Sequence, residues 1–282
     1  MGKMKLKKYH LKRNIKVFIK RVFIILIVIF LLKNKFINKK INEKADKYVL
    51  NSFIASKELN KTSNNNYDAV FKANDIKPNN NYVLYLYNTH QGENYGKKDS
   101  ILYNANIMTA TSYLSEKMND NEIVTLHEKR SISEVLNNNN WKYSNSYKAS
   151  RVYLEDIILT YPTLKYFIDI HRDSGSYKNT TLCTNDNCYA KVLFVIGLEN
   201  ENHQENYNFA LRLNDKLNNK VSGISKGIIG KEGKGVNGVY NQDFSSRTLL
   251  IEIGGENNTI DEVYKTMDIL SEVLTDYMKE DI

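Results

Sequence analysis

Apolar positions along the chain fall into three regimes. Residues 22–32 read VFIILIVIFLL, eleven apolar positions without a break. From Lys39 to about Asn80 polar residues dominate, with NKTSNNN and KPNNN tracts, and this stretch reads as a spacer carrying one helix over 45–59. From Asn81 onward, short apolar runs alternate with helix-length segments. YVLYLYN (82–88), NEIVTLH (121–127), LKYFIDIH (164–171), AKVLFVIG (190–197) and TLLIEIG (248–254) are rich in β-branched and aromatic residues, as strands are. Residues 100–117, 146–160, 202–219 and 259–279 read as helices. That alternation predicts a layered α/β domain around a mostly parallel sheet. Runs such as VLFVIG belong at its centre, buried on both faces.

The first regime predicts a membrane anchor. Eleven helical residues cover only about 16 Å at 1.5 Å per residue, against a hydrocarbon core of roughly 30 Å. Val17, Phe18 and Ile19 precede the run and Phe36 and Ile37 follow it. Lys20, Arg21, Lys33 and Lys35 can snorkel to the headgroups, so a span over 17–37 is feasible. A cleaved signal peptide has an apolar stretch of about this length, but no small-residue cleavage site follows Leu32. A buried core helix is disfavoured by the basic flanks. Nine Lys/Arg precede Val22 and four follow Leu32 within eight residues. The positive-inside bias then orders the chain as a cytoplasmic tail (1–16), an anchor (17–37), an extracytoplasmic linker (38–80) and an extracytoplasmic domain (81–282).

Charge follows the same division. The 282 residues carry 40 Lys+Arg and 32 Asp+Glu, a formal net charge of +8. Residues 1–42 hold 13 of the basic residues and no acid, which leaves 27 basic against 32 acidic residues, net −5, in the remainder. A domain that gripped phosphates would carry the basic stripe itself, so nucleic-acid binding is excluded as a function. Cys183 and Cys188, in LCTNDNC, bracket a turn between two strand-like segments. A hairpin disulfide and a free pair are both open there. A structural zinc site would need further Cys or His at short spacing, and none is present.

Of the five histidines, His10 lies in the leader and His203 at a polar helix start. His127 ends a strand-like run but is followed by Glu128 and Lys129, which read as an exposed turn. His90 and His171 each stand at the carboxyl end of a predicted core strand, where open α/β sheets bind ligands. Glu93 follows His90 by three residues and Asp173 follows His171 by two, while Glu252 ends a third strand. His-x-x-Glu with a distant His suits a catalytic zinc centre, because three protein ligands leave the fourth position open. Glu252 would be the carboxylate that moves protons. A satisfied buried histidine and a capping or ion-paired glutamate are the plainer reading of the same residues. No P-loop, nucleophile elbow or G-x-G-x-x-G after a strand is present. GIIGKEGKGVNG reads as a glycine-rich loop beside the site.

NTHQGENY (88–95), IDIHRDSG (168–175), VLFVIGLENENHQENYNFALRL (192–213) and VYNQDFSSRTLLIEIGGENNTIDEV (239–263) together resemble the stage II sporulation protein P family. The resemblance runs from about Asn81 to Ile282. It implies a membrane-anchored, zinc-dependent N-acetylmuramoyl-L-alanine amidase, with D,D-endopeptidase activity on crosslinks, acting on peptidoglycan during sporulation. The fold implied is the three-layer one of zinc amidases and exopeptidases. Matched motif by motif, it implies His90, Glu93 and His171 as zinc ligands and Glu252 as the catalytic carboxylate. It also implies that Arg172 orients a substrate carboxylate or pairs with Asp169, and that Asn257 helps shape the site. Partners implied are the membrane and stage II sporulation proteins D and M. An inactive septal scaffold and a D-amino-acid carboxypeptidase are the alternatives.

Overall fold

The computed structural model describes residues 81–96, 105–184 and 186–281. All fall within the unit Lys77–Ile282. The tail, anchor and linker expected over 1–80, with the helix over 45–59, lie outside the described residues. Among the described residues no helix is long and apolar enough to cross a membrane.

In chain order the elements are β1 (Leu84–Tyr87), α1 (Ile107–Asp120), β2 (Thr125–His127), α2 (Ile132–Asn138), α3 (Ser146–Thr160), β3 (Tyr166–Asp173) and α4 (Tyr177–Thr180). The hairpin β4 (Thr181–Cys183) and β5 (Cys188–Ala190) follows, then β6 (Val192–Gly197), α5 (His203–Lys220), β7 (Ser225–Lys231), β8 (Thr248–Gly255) and α6 (Ile260–Asp281). Six strands form one sheet in the order β2-β1-β3-β8-β6-β7. Four of its five pairings are parallel, and β6 alone runs against its neighbour β8. The carboxyl ends of β1, β3 and β8 therefore share one edge with the starts of β6 and β7.

Side-chain alternation builds the layers, because successive strand residues point to opposite faces. Leu84, Leu86, Ile168, Ile170, Ile251 and Phe194 pack with apolar residues of α1, α5 and α6 into the main core. Tyr85, Tyr87 and Phe167, the odd-numbered residues, pack instead against Leu154 and Ile157 of α3. Over β6 and β8 that second face is covered by a loop, where Tyr240 meets Val195 and Leu250. Gln242 pins this loop, since its amide donates to Val195 O at 2.7 Å and its Oε1 accepts from Gly197 N at 2.9 Å. The result is a three-layer α/β domain.

Two elements depart from the sequence pattern. The expected glycine-rich loop begins inside a strand, β7, whose SKGIIGK sequence is only partly buried because it forms the sheet edge. Helix α2 is short, and its start is marked by Ser131, whose Oγ accepts from Glu134 N at 3.2 Å. The cysteine pair, left open by sequence, is a disulfide that closes the β4–β5 hairpin.

Helix α6 begins with a reciprocal cap. Thr259 N donates to Glu262 Oε2 at 2.9 Å and Glu262 N donates to Thr259 Oγ1 at 3.3 Å. Asn258 extends this cap to the end of β8, accepting from Gly255 N at 2.7 Å and donating to Glu262 Oε2 at 2.9 Å. Gly254 adopts φ +59°, and a Cβ there would stand 2.8 Å from both Ala190 Cβ and Asn258 Oδ1. Gly254→Ala should therefore destabilise the domain by about 1–3 kcal/mol, from strain and overpacking together. Urea denaturation of the purified variant measures this, and an unchanged midpoint would refute it.

Candidate metal centre

His90 sits in the turn that leaves β1, closed by Glu93 N donating to His90 O at 3.2 Å. Gln91 locks that turn from outside. Its Nε2 donates to Arg130 O at 2.7 Å, and its Oε1 accepts from Ile132 N at 3.0 Å. Arg130 is held in turn by Glu128 and Asp156. His171 lies near the end of β3, in direct register with Glu252 on the adjacent parallel strand β8. Register and alternation place both side chains on the α3 face, one strand spacing apart.

Glu93 joins the two imidazoles. Its Oε2 accepts from Arg172 N at 2.7 Å, which fixes the carboxylate. Its Oε1 lies 3.7 Å from His90 Nδ1 and 3.6 Å from His171 Nδ1. The two rings meet edge to face with centroids 5.1 Å apart. One donor atom from each of the three residues lies within 4.8 Å of the others, so the set can hold a metal ion. The spacing is long for hydrogen bonds but suits shared coordination. An ion with bonds of about 2.0–2.1 Å in tetrahedral geometry holds its ligands roughly 3.3 Å apart.

Behind His171 stands Asp169, fully buried. Its Oδ1 lies 3.0 Å from His171 Nε2, an ion-pair contact too bent to count as a hydrogen bond. The same oxygen accepts from Thr89 N at 2.9 Å, and Oδ2 contacts Thr89 Oγ1 at 2.6 Å. Thr89 Oγ1 is 2.7 Å from Ser150 Oγ, which accepts from Asn241 Nδ2 at 3.0 Å. With Nε2 turned to a carboxylate, His171 presents Nδ1 to the centre, the arrangement that orients metal-binding histidines.

The charges agree with a cation position between these groups. Burial alone would push the His171 imidazole down, but Asp169 and Glu93 outweigh it and raise it to about 10. Burial pushes the Glu93 carboxyl up, yet His171 and His90 bring it down to about 2. Glu252 behaves differently. Burial first, and then Asp173, push its carboxyl up to about 7, the range in which a carboxylate can both accept and give a proton. Lys226, at the start of β7, forms a close ion pair with Asp173 and reaches this edge only because β6 and β7 run opposite to β8.

The remaining sequence candidates separate from the cluster. Arg172 does not pair with Asp169, because strand alternation sends its side chain to the other face; its backbone amide holds Glu93 instead. Asn257 is exposed, and the buried asparagine of that turn is its neighbour Asn258. His127 keeps both ring nitrogens buried without a hydrogen-bond partner, and burial, then Lys129, lower it to about 4. His203 Nδ1 contacts Asn200 O at 2.8 Å at the start of α5. His10 lies outside the described residues. Sequence reading missed Asp169 as the partner of His171, although two residues apart on a strand means one shared face. It also missed Tyr143 and Tyr147, which no motif marks, and Gln91.

Fold and site define an α/β protein with a candidate metal centre at the carboxyl edge of its sheet. The profile of the Stage II sporulation protein P (SpoIIP) family matches residues 25–275, and the chain belongs to that family. A Stage II sporulation protein P of Bacillus subtilis (strain 168) is 33% identical over 202 residues, which cover 69% of this chain and 50% of that protein. The chain thus spans half the length of that relative. Among solved structures, the CwlD amidase of Clostridioides difficile, in complex with the GerS lipoprotein, has a TM-score of 0.46 at 12% identity, over 70% of this chain and 98% of that one. An N-acetylmuramoyl-L-alanine amidase of Clostridium difficile 630 has a TM-score of 0.43 at 13% identity, over 71% and 96%.

Two outcomes are expected. Asp169→Asn should weaken metal binding about 10–100-fold by releasing the His171 ring, as read by chelator competition; unchanged affinity would contradict the role. Glu252 is raised when folded, so the metal-free protein loses stability as pH climbs from the unfolded value near 4.5 through about 7. Glu252→Gln should remove that loss, stabilising metal-free protein by about 1–3 kcal/mol at pH 8 and by nothing below pH 4. Denaturation midpoints at the two pH values test the sign.

Proposed function

We propose that this chain is a zinc-dependent peptidoglycan hydrolase that cuts the amide between N-acetylmuramic acid and L-alanine, with stem-peptide crosslinks as second targets. The observation that carries this reading is Glu93 Oε1 between two imidazole nitrogens, at 3.6 and 3.7 Å, with a proton-accepting Glu252 one strand away. Two imidazoles and a carboxylate are the donor set of catalytic zinc sites of the thermolysin and carboxypeptidase A kind. The proton that Asp169 and Glu93 favour on His171 would be displaced by a metal bound here. Family membership supports the same reading.

Zinc held by His90, Glu93 and His171 would supply Lewis acidity, polarising the scissile carbonyl and lowering the pKa of water. Glu252 takes the proton from the attacking water and delivers it to the departing amine. Asp169 keeps the His171 ring turned, and the Arg172 amide keeps the Glu93 carboxylate turned. Residues 17–37 anchor the protein in the cell membrane with the N-terminus cytoplasmic and the catalytic domain outside. Stage II sporulation proteins D and M are its proposed partners during sporulation.

His171→Ala and Glu252→Gln should each lower amide hydrolysis on isolated sacculi by at least about 10²-fold, and metal analysis of the wild type should find about one zinc per chain. Mass spectrometry of the released muropeptides identifies the bond that is cut. Full activity in either variant, or products showing only loss of a terminal D-amino acid, would overturn the reading.

A further inference from the structure

A cleft of about 480 Å³ opens beside the centre, lined by His90, by Tyr143, Ser144 and Tyr147, and by residues 235–237 of the loop after β7. That volume lies in the range of small-molecule sites. Tyr143 is 67% exposed, a large aromatic side chain with little of its surface covered. One face of its ring stacks on His90, with centroids 5.2 Å apart and planes 22° apart. Tyr147 stands against both His90 and His171 at 5.5 and 6.2 Å. Val236, on the loop, is 38% exposed.

Apart from His90, no ionisable acid or base of the Asp, Glu, Lys or Arg kind lines this cleft. Besides His90 and the hydroxyls of Tyr143 and Tyr147, its polar side chains are Ser144 and Asn237. Asn237 Oδ1 is occupied, accepting from Val239 N at 3.2 Å and from Tyr240 N, and its amide N–H groups remain to donate. Lys226 on β7, Asp173 on β3 and Glu252 on β8 do not line this cleft. The cleft itself is thus neutral and aromatic, while the hollow next to it, which shares Tyr147 and Asn237, carries Lys148, Arg151, Glu155 and Asp243.

We infer that the cleft is a sugar subsite in which Tyr143 stacks on the C–H face of an N-acetylated pyranose, with Asn237 and Ser144 meeting its hydroxyl and acetamido groups. This rests on the hydrolase reading for the choice of ligand. An N-acetylated sugar whose carboxyl is tied up in an amide carries no charge, as the lining requires, whereas a stem peptide brings carboxylates and an amine. An aromatic ring offers such a ligand a large, rigid apolar face.

The test uses the full chain in detergent, on a Glu252→Gln background to prevent turnover, with two probes: a disaccharide-bearing muropeptide and the same stem peptide without sugar. Tyr143→Ala should weaken muropeptide binding about tenfold or more, leave the sugar-free peptide unchanged and leave zinc affinity unchanged; Tyr143→Trp should retain binding. Equal losses on both probes, a fall in zinc affinity, or no loss at all would overturn the subsite. Sugar-dependent binding that needs Tyr143, in a chain whose wild type cleaves nothing, would sustain the subsite while sinking the hydrolase reading. Cleavage of sacculi by the wild type with binding indifferent to Tyr143 would do the reverse.

Discussion

A carboxylate with no exposure at all lies behind the centre, and the arrangement of the site depends on how it is neutralised. Burying an ionised carboxylate is costly unless it is paired and hydrogen-bonded. Asp169 meets that demand with the Thr89 backbone and hydroxyl from the end of β1 and with His171 from its own strand. The groups that relieve the charge are thus those that fix the end of β1 beside the end of β3. His90 follows Thr89 directly. Its position relative to His171 is therefore a consequence of solving the Asp169 problem.

From that point the constraint spreads outward through short connections. Ser150 and Asn241 continue the polar chain from Thr89, so α3 and the loop over β6 and β8 are tied to the same carboxylate. On the other flank, Gln91 ties the His90 turn to the segment entering α2. Glu93 is fixed by a backbone amide, the group in a protein least free to move. Such interlocking suits a centre that must keep its ligands in place before any ion arrives, because preorganised donors lose little further freedom on binding.

Much of this was readable beforehand, for definable reasons. β1, β3, β6 and β8 are apolar on both faces, and only the centre of a parallel sheet asks that of a strand. Placing His90, His171 and Glu252 at one edge followed from those strands alone. β7 was not readable, because an edge strand half in water needs no apolar run and its glycines and lysines resemble a loop. The mutual register of His171 and Glu252 was likewise hidden, since pairing is a long-range property that spacing does not encode. Of the two roles expected of Arg172, the pairing with Asp169 fails by one position of alternation, because Asp169 and His171 share a strand face and Arg172 lies on the other. The cysteine pair left open by spacing alone is resolved by the antiparallel register that sets Cys183 opposite Cys188.

The loop over β6 and β8 replaces a helix on that part of the sheet. It carries part of the cleft lining but none of the cluster, and its hold on the sheet runs through Gln242 and Glu199, whose Oε1 accepts from Gly233 N. Loops of this kind tolerate insertion and exchange far better than strands do. The donor cluster and the lining of the cleft are therefore written on separable pieces of chain. Descendants of this fold could lengthen or trim residues 232–238 and so reshape the cleft, while the strands that carry His171 and Glu252 stayed as they are.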